Sequence, residues 1–336
     1  MKTYINGISY YLPEEVLTNE DISREHPEWE ADKISQKTGI HKRFIAAEDE
    51  YASDMAVSAA NKLFKEYDIN PETIDFLLYC TQSPDYFLPT SACVLQQKLS
   101  LPTTIGAFDI NLGCSGWVYG LSVAKGFINA GMAKNILLIT SETYSKFIHP
   151  KDKSNKTIFG DAAAATLITG RPGIWEIGEF AFGTDGSGAG NLIVKNGGLR
   201  FRDEEGRDIL NEDNSFVRND DNLYMNGGEI FSFTSKAVPV LIDEVLKRNN
   251  LNKFDIDAYV MHQANKYMLE FIRRKMKIDP RNFIYYLEDV GNTVSNTIPI
   301  ALKERCMDSN QRNLLLAGFG VGYSWSGCTL KAADTK

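Results

Sequence analysis

The sequence lacks the features that mark membrane, secreted, metal-binding and nucleic-acid-binding chains. No run of about 18 apolar residues occurs, the length a helix needs to cross a bilayer. The opening stretch MKTYINGISYYLPEE has no apolar core of the kind a secretory signal carries. Cysteines are few: Cys80, Cys93, Cys114, Cys306 and Cys328 are odd in number and widely spaced. No two stand as CxxC, so neither a disulfide framework nor a zinc site is signalled. Basic residues are outnumbered, 36 against 44, for a net charge of −8. That balance excludes a general nucleic-acid binder, but it leaves room for an acidic partner held by a local basic patch. These absences together lead us to expect a soluble cytoplasmic protein with no membrane and no nucleic-acid partner.

The 336 residues that remain to be explained, 43% of them hydrophobic and 24% charged, suit one large domain or two fused ones. Short apolar runs alternate with amphipathic stretches. Ile74 to Tyr79, Thr104 to Asn111 and Asn135 to Ser141 read as strands, and Thr90 to Leu99 and Ser115 to Ala130 as helices. The alternation indicates an α/β fold.

An internal repeat is visible. INPETIDFLLYCTQS, from Ile69, parallels LNKFDIDAYVMHQAN, from Leu251, with Cys80 opposite His262. DINLGCSGWVYGLSVA (Asp109 to Ala124) parallels EDVGNTVSNTIPIALK (Glu288 to Lys303), with Cys114 opposite Asn292. Two blocks in one order indicate duplication, with halves over residues 1–173 and 174–336 that meet near Gly170 to Ile177. The stretch from Gly183 to Asn222, rich in Gly, Asn, Asp and Arg, reads as a long excursion from the core.

Cys114, in NLGCSGW, follows a strand and precedes a helix start. A sulfur there faces free N–H groups and the positive end of the helix dipole, a setting that favours a thiolate. The competing reading is a buried inert cysteine, which we adopt for the other four. His262 stands at the C-terminal end of a strand, where open α/β sheets place their chemistry. His26, His41 and His149, the remaining histidines, lie in polar contexts and read as surface or turn residues. GFGVG (Gly318 to Gly322) lies between two apolar strands. It is either a plain hairpin or a turn that presents N–H groups to an oxyanion.

Eight motifs in order carry a resemblance: TGIHKR (Thr38 to Arg43), GCSG, IFGDAAAA (Ile158 to Ala165), DGSG (Asp185 to Gly188), MNGGEIF (Met225 to Phe231), HQAN (His262 to Asn265), GNT (Gly291 to Thr293) and GFGVG. With them the chain resembles the β-ketoacyl-acyl carrier protein synthase III family of the thiolase superfamily, from Ile5 to the C-terminus. The resemblance implies a five-layer αβαβα fold of two duplicated halves, a homodimer and no metal or redox cofactor. It implies Cys114, His262 and Asn292 as the catalytic set, with the N–H groups of Cys114 and Val321 as the oxyanion hole. It further implies that an acyl group on Cys114 condenses with malonyl held by an acyl carrier protein, carbon dioxide leaving.

Phe87 and Leu88 fall at the acyl-pocket wall that a dimer partner contributes in that family, Leu88 where Phe is usual. Lys33, Lys153 and Asn265 fall at donor-binding positions, Lys33 in place of a Trp and Lys153 in place of an Arg, with Trp29 a turn away. Tyr267 stands where an Arg is common. Arg273, Arg274, Lys275 and Lys277 form a basic run suited to an acidic carrier protein. The departures leave the donor open between acyl-CoA and acyl carrier, and its chain length open. A thiolase-fold acyltransferase that works without decarboxylation is the alternative activity.

Overall fold

The apolar runs become strands in the computed structural model, which describes residues 2–307 and 309–333. Five lie in the first half: β1 (Tyr4–Tyr11), β2 (Phe76–Cys80), β3 (Gly106–Ile110), β4 (Asn135–Glu142) and β5 (Ala162–Thr169). Four lie in the second: β6 (Trp175–Thr184), β7 (Ala258–Met261), β8 (Asn313–Gly320) and β9 (Ser324–Ala332). They form one sheet in the order β7-β8-β9-β6-β1-β5-β4-β2-β3. Strands β2, β4 and β5 are buried along almost their whole length, because both faces are covered. Such strands read as continuous apolar runs, not as alternation.

Six principal helices cover the sheet: α1 (Ala52–Glu66), α2 (Ser91–Lys98), α3 (Gly116–Asn129), α4 (Gly227–Arg248), α5 (Lys266–Met276) and α6 (Thr297–Arg305). Helix α1 buries Ala52, Met55, Ala56, Ala59, Ala60 and Leu63, a stripe at helical spacing. Its small residues let it lie close on Ala163 and Ala165 of β5. One core joins α1 and α2 to the first-half strands, and another joins α4 and α5 to the second. A third, around α3 and α6, lies between the two sets of strands. The layers therefore run αβαβα.

The repeat is built into the topology. Outward from the centre, one half runs β1-β5-β4-β2 and the other β6-β9-β8-β7. The senses agree: the first two pairings in each half are antiparallel and the third is parallel. Phe283, bridged in parallel to Tyr259, takes the place that β3 holds beside β2. The two Ile-Asp pairs do the same local work. The Asp75 carboxylate accepts from the N–H groups of Lys134 and Asn135 at the start of β4. The Asp257 carboxylate accepts from those of Arg312 and Asn313 at the start of β8. The halves meet where Tyr4 pairs with Glu176 and Ile5 with Trp175.

Two expectations need correction. The 183–222 excursion is not wholly outside the core. Leu192 is buried in the second-half core, and Leu192–Ile193 pairs with Tyr224–Met225. The middle, with its short Ile209–Leu210 and Phe216–Arg218 ladder, stands on the surface, as do Thr184 to Ser187 near its start. Cys93 is exposed rather than buried, because it lies on the outer face of α2.

Candidate active site

The loops at one end of the sheet bring Cys114, His262 and Asn292 together around a cavity of about 130 Å³. Cys114 sits in the turn between β3 and α3, and is only 6% exposed. The β8–β9 hairpin crosses directly over it. A Cβ at Gly320 would stand 2.8 Å from the Cys114 Sγ, and one at Gly318 would stand 2.8 Å from the Cys114 carbonyl oxygen. Glycine at both positions lets the hairpin approach the nucleophile turn this closely. The N–H groups of Cys114 and Val321 both point at the sulfur and favour its anion. Phe319, Ile158, Phe159, Leu192 and Met268 supply an apolar wall.

His262 follows the last residue of β7, and its N–H donates to the Ala317 carbonyl of β8 at 2.8 Å. Its Nδ1 lies 2.8 Å from the Thr297 hydroxyl at the start of α6. That hydroxyl also lies 3.1 Å from the Val294 carbonyl. The single Thr297 proton can serve one neighbour at a time. Donated to Val294, it leaves Nδ1 as donor and Nε2 as a bare lone pair. Turned to Nδ1, it requires the proton on Nε2, which is then a donor. Asn292 is fixed less ambiguously. Its Oδ1 accepts from the Val294 N–H at 2.9 Å, so the amide NH2 is the free end. Its backbone is anchored on both sides, accepting from the Gly160 N–H and donating to the Ile158 carbonyl.

The electrostatics overturn one expectation. The Cys114 thiol is not predisposed to ionise. Burial pushes its pKa up to about 12, and the charge of Glu142 adds to that. The two N–H groups oppose the shift without cancelling it. Helix α3 begins at Gly116, two residues beyond the sulfur, and a sulfur withdrawn from water loses more than the helix end returns. Burial also lowers His262 to about 3, so its imidazole is neutral. The resting pair is thiol and imidazole, not thiolate and imidazolium.

The other predicted residues disperse. Phe87 and Leu88 are 72% and 84% exposed, and they border a separate hollow with Tyr86, Leu199 and Arg202. They do not line the Cys114 cavity of their own chain. Lys33 pairs with Glu30 at 2.6 Å, and Lys153 pairs with Glu28. Lys33 lines a cleft with Trp29, Lys37 and Ile158, and Ile158 also lines the Cys114 cavity. Trp29 is already covered by a cation of its own chain, Lys37, whose Nζ is 5.8 Å from the ring centre.

Asn265 lines the Cys114 cavity, but its Oδ1 caps α5 through the Met268 N–H. Arg273 is not available to a partner. Its guanidinium is bound to Glu270 and to the Ile278 carbonyl. Arg274 and Lys277 face outward, Arg274 while bonded to Glu270 at 3.2 Å. Sequence reasoning missed Thr297, Ser295 and Glu142. Only Glu142 left a signal, a carboxylate that closes the buried strand NILLITSE.

Family profiles described as 3-oxoacyl-(acyl-carrier-protein) synthase III and its C-terminal part match residues 108–186 and 246–332. A β-ketoacyl-(acyl-carrier-protein) synthase III of Clostridium perfringens is 34% identical over 97% of this chain and 98% of its own. A crystal structure of a 3-oxoacyl-(acyl-carrier-protein) synthase III superposes with a TM-score of 0.94 at 46% identity, covering 98% of this chain and all of the other. A 3-oxoacyl-(acyl-carrier-protein) synthase from Burkholderia xenovorans superposes at 0.88 with 31% identity, covering 99% and 94%.

Proposed function

The chain belongs to the 3-oxoacyl-(acyl-carrier-protein) synthase III family, and on that premise we propose how its residues perform the decarboxylative condensation of an acyl group with malonyl-ACP. Cys114 is the nucleophile. Because its thiol resists ionisation, it gives up its proton as it attacks, to the bare Nε2 of His262. The sulfur bonds to the acyl carbon. The tetrahedral oxyanion is held by the N–H groups of Cys114 and Val321, and the donor thiol leaves with the proton from His262. Malonyl-ACP then enters. The free NH2 of Asn292 and the Nε2–H of His262 donate to its thioester oxygen. The carbon–carboxylate bond breaks, carbon dioxide leaves, and the electron pair becomes an enolate. That enolate attacks the acyl carbon, the carbon–sulfur bond breaks, and Cys114 leaves as a thiolate that takes up one proton from water to return to the thiol, giving 3-oxoacyl-ACP. Balanced in this way, the reaction calls for no metal or redox cofactor. His262 must accept in the first half and donate in the second, and the two-way Thr297 hydroxyl suits that exchange.

The observation that carries this reading is the convergence of the sulfur, the two N–H groups, the imidazole and the free amide on one buried cavity. The test is incubation with acyl-CoA and acyl-ACP donors, read by intact mass and peptide mapping, followed by malonyl-ACP. The acyl group is expected on Cys114, with carbon dioxide and 3-oxoacyl-ACP appearing on addition of malonyl-ACP. Acylation without carbon dioxide release would replace this reading with simple acyl transfer.

Two further parts belong to the same reading. The carrier docks on Arg274 and Lys277, supported by their exposure at the C-terminal end of the helix whose N-terminus Asn265 caps. Reversing both charges should raise KM for malonyl-ACP several-fold and flatten its salt dependence, with an unchanged profile counting against them. The enzyme is a cytoplasmic homodimer, supported by the exposed Phe87, Leu88 and Leu199 around one hollow and by five unpaired cysteines. Sedimentation velocity reads the oligomeric state. No helix among the described residues is long and apolar enough to cross a membrane.

A further inference from the structure

The reaction above leaves one buried ionisable group unused. Glu142, the last residue of β4, is wholly buried, and no Lys, Arg or His among the described residues reaches it. An unpaired carboxylate in such a place is costly unless its oxygens are satisfied by other donors. Here they are satisfied by groups from two separate turns. Oε2 accepts from the Gln82 N–H at 3.1 Å and from the Ser83 hydroxyl at 3.1 Å. Oε1 accepts from the Ser295 hydroxyl at 3.1 Å.

One turn backs the active site and the other carries part of it. The Gln82 Oε1 stands 2.5 Å from where a Cβ would be on Gly113, beside Cys114, and it accepts from the Tyr144 hydroxyl at 2.6 Å. Ser295 lies between Val294 and Thr297. The Val294 N–H holds Asn292, and Thr297 holds His262. We propose that Glu142 is a positioning residue for the condensation: its carboxyl clamps the turn behind Cys114 to the turn that orients Asn292 and His262.

The groups that face it fit that role. Asp161, Tyr79, Tyr144, Cys80 and Cys114 surround it, and none is cationic. Burial, with a smaller push from Asp161, raises the carboxyl itself to about 8. Near neutrality it is therefore protonated, and one of its serine contacts runs from carboxyl to hydroxyl. Above that range it is charged and opposes a thiolate.

The positioning role rests on the reaction proposed above, whereas the charge role that Glu142 takes on above about pH 8 is read with no acyl substrate. The first measurement is iodoacetamide alkylation of Cys114, resolved by peptide and followed from about pH 6 to about pH 10. The exposed Cys93 is scored separately as the reference thiol. Glu142→Gln should match wild type at the acid end and alkylate Cys114 several-fold faster, up to about tenfold, above about pH 8. Superimposable profiles overturn the charge role.

The second measurement is carbon dioxide release from malonyl-ACP by Ser295→Ala, which cuts one side of the clamp and leaves the carboxyl in place. Its kcat should fall about tenfold or more with KM unchanged, while acylation of Cys114 persists. Ser295→Thr, which restores the hydroxyl, should recover most of the loss. Wild-type kcat in Ser295→Ala overturns the positioning role, and so does an equal loss in Ser295→Thr. Should Glu142→Gln fail to fold, the Ser295 pair still decides that role. Glu142→Asp, which keeps the charge and shortens its reach, then replaces Glu142→Gln in the alkylation series. It must keep the wild-type alkylation profile, or the charge role falls.

Discussion

Asn292 and His262 act through opposite kinds of certainty. The Asn292 amide is pinned by one backbone N–H and can only donate into the cavity. The His262 ring is set by a hydroxyl with two places for one proton. Asn292 is expected to act on the enolate alone, and His262 on both halves of the reaction. Asn292→Ala should therefore keep acylation of Cys114, His262→Ala should also slow it, and each should lose about 10²- to 10³-fold in malonyl decarboxylation. Stopped-flow release of carbon dioxide checks this, and near-wild-type release from either variant removes its assigned role. At this scale the convergence of the three side chains on one cavity was legible, because the repeat places His262 and Asn292 opposite Cys80 and Cys114. The state of the sulfur was not. The local turn suggests a stabilised thiolate, but the decisive quantity is burial, to which β8, β9 and β4 contribute from more than 20 residues away along the chain.

Among the elements, the β8–β9 hairpin illustrates what a sequence reading leaves open. GFGVG permits either a plain hairpin or an oxyanion turn, and the glycines alone do not choose between them. The choice is made by contact with a turn some 200 residues earlier, where Gly320 meets the Cys114 sulfur and the Val321 N–H points at it. The strands also extend through Gly318 and Gly320, beyond the apolar runs that suggested them, because the ladder with β9 continues to Ser324. Gly320→Ala tests the close approach directly. Its Cβ would lie 2.8 Å from Sγ and 2.9 Å from the Cys114 Cβ, so one of the two chains must shift. The expected result is a loss of about 10²-fold in the acylation rate, since one oxyanion donor is displaced, while thermal unfolding changes little. Full acylation would mean that the hairpin yields without disturbing the hole. The two helices read from the sequence, Thr90 to Leu99 and Ser115 to Ala130, match α2 and α3 to one residue at each end, whereas Phe87 and Leu88, expected at a wall that a partner subunit supplies, stand exposed outside the cavity of their own chain. Their exposed segment follows β2 at the surface, and nothing in its local pattern fixes what it covers.

Over the whole molecule, the buried ionisable groups of the site make folding depend on pH in a way that can be separated by sign. Glu142 has an ordinary value of 4.5 and a folded value of about 8. Between these, unfolding frees a carboxyl that ionises, so the unfolded chain binds fewer protons and stability falls as pH rises from 4.5 to 8. Asp161 acts in the same direction from 3.8 to about 6. His262 acts in the other, because its ordinary 6.5 drops to about 3 in the fold and unfolding takes up a proton, so stability falls as pH drops through that window. Cys114, moved from 9 to about 12, adds a further loss on the alkaline side. The site is therefore held together most firmly where imidazole, thiol and carboxyl are all uncharged, the state from which the proposed acylation begins. Glu142→Gln removes one of these contributions and leaves the others. Its stability relative to wild type should rise between about pH 5 and about pH 8, by an amount on the order of a few kcal/mol, and then stay level. Urea unfolding midpoints at three or so pH values suffice to read the difference. A difference that does not change with pH would show that Glu142 enters the fold already ionised, with Gln82, Ser83 and Ser295 fully compensating its charge.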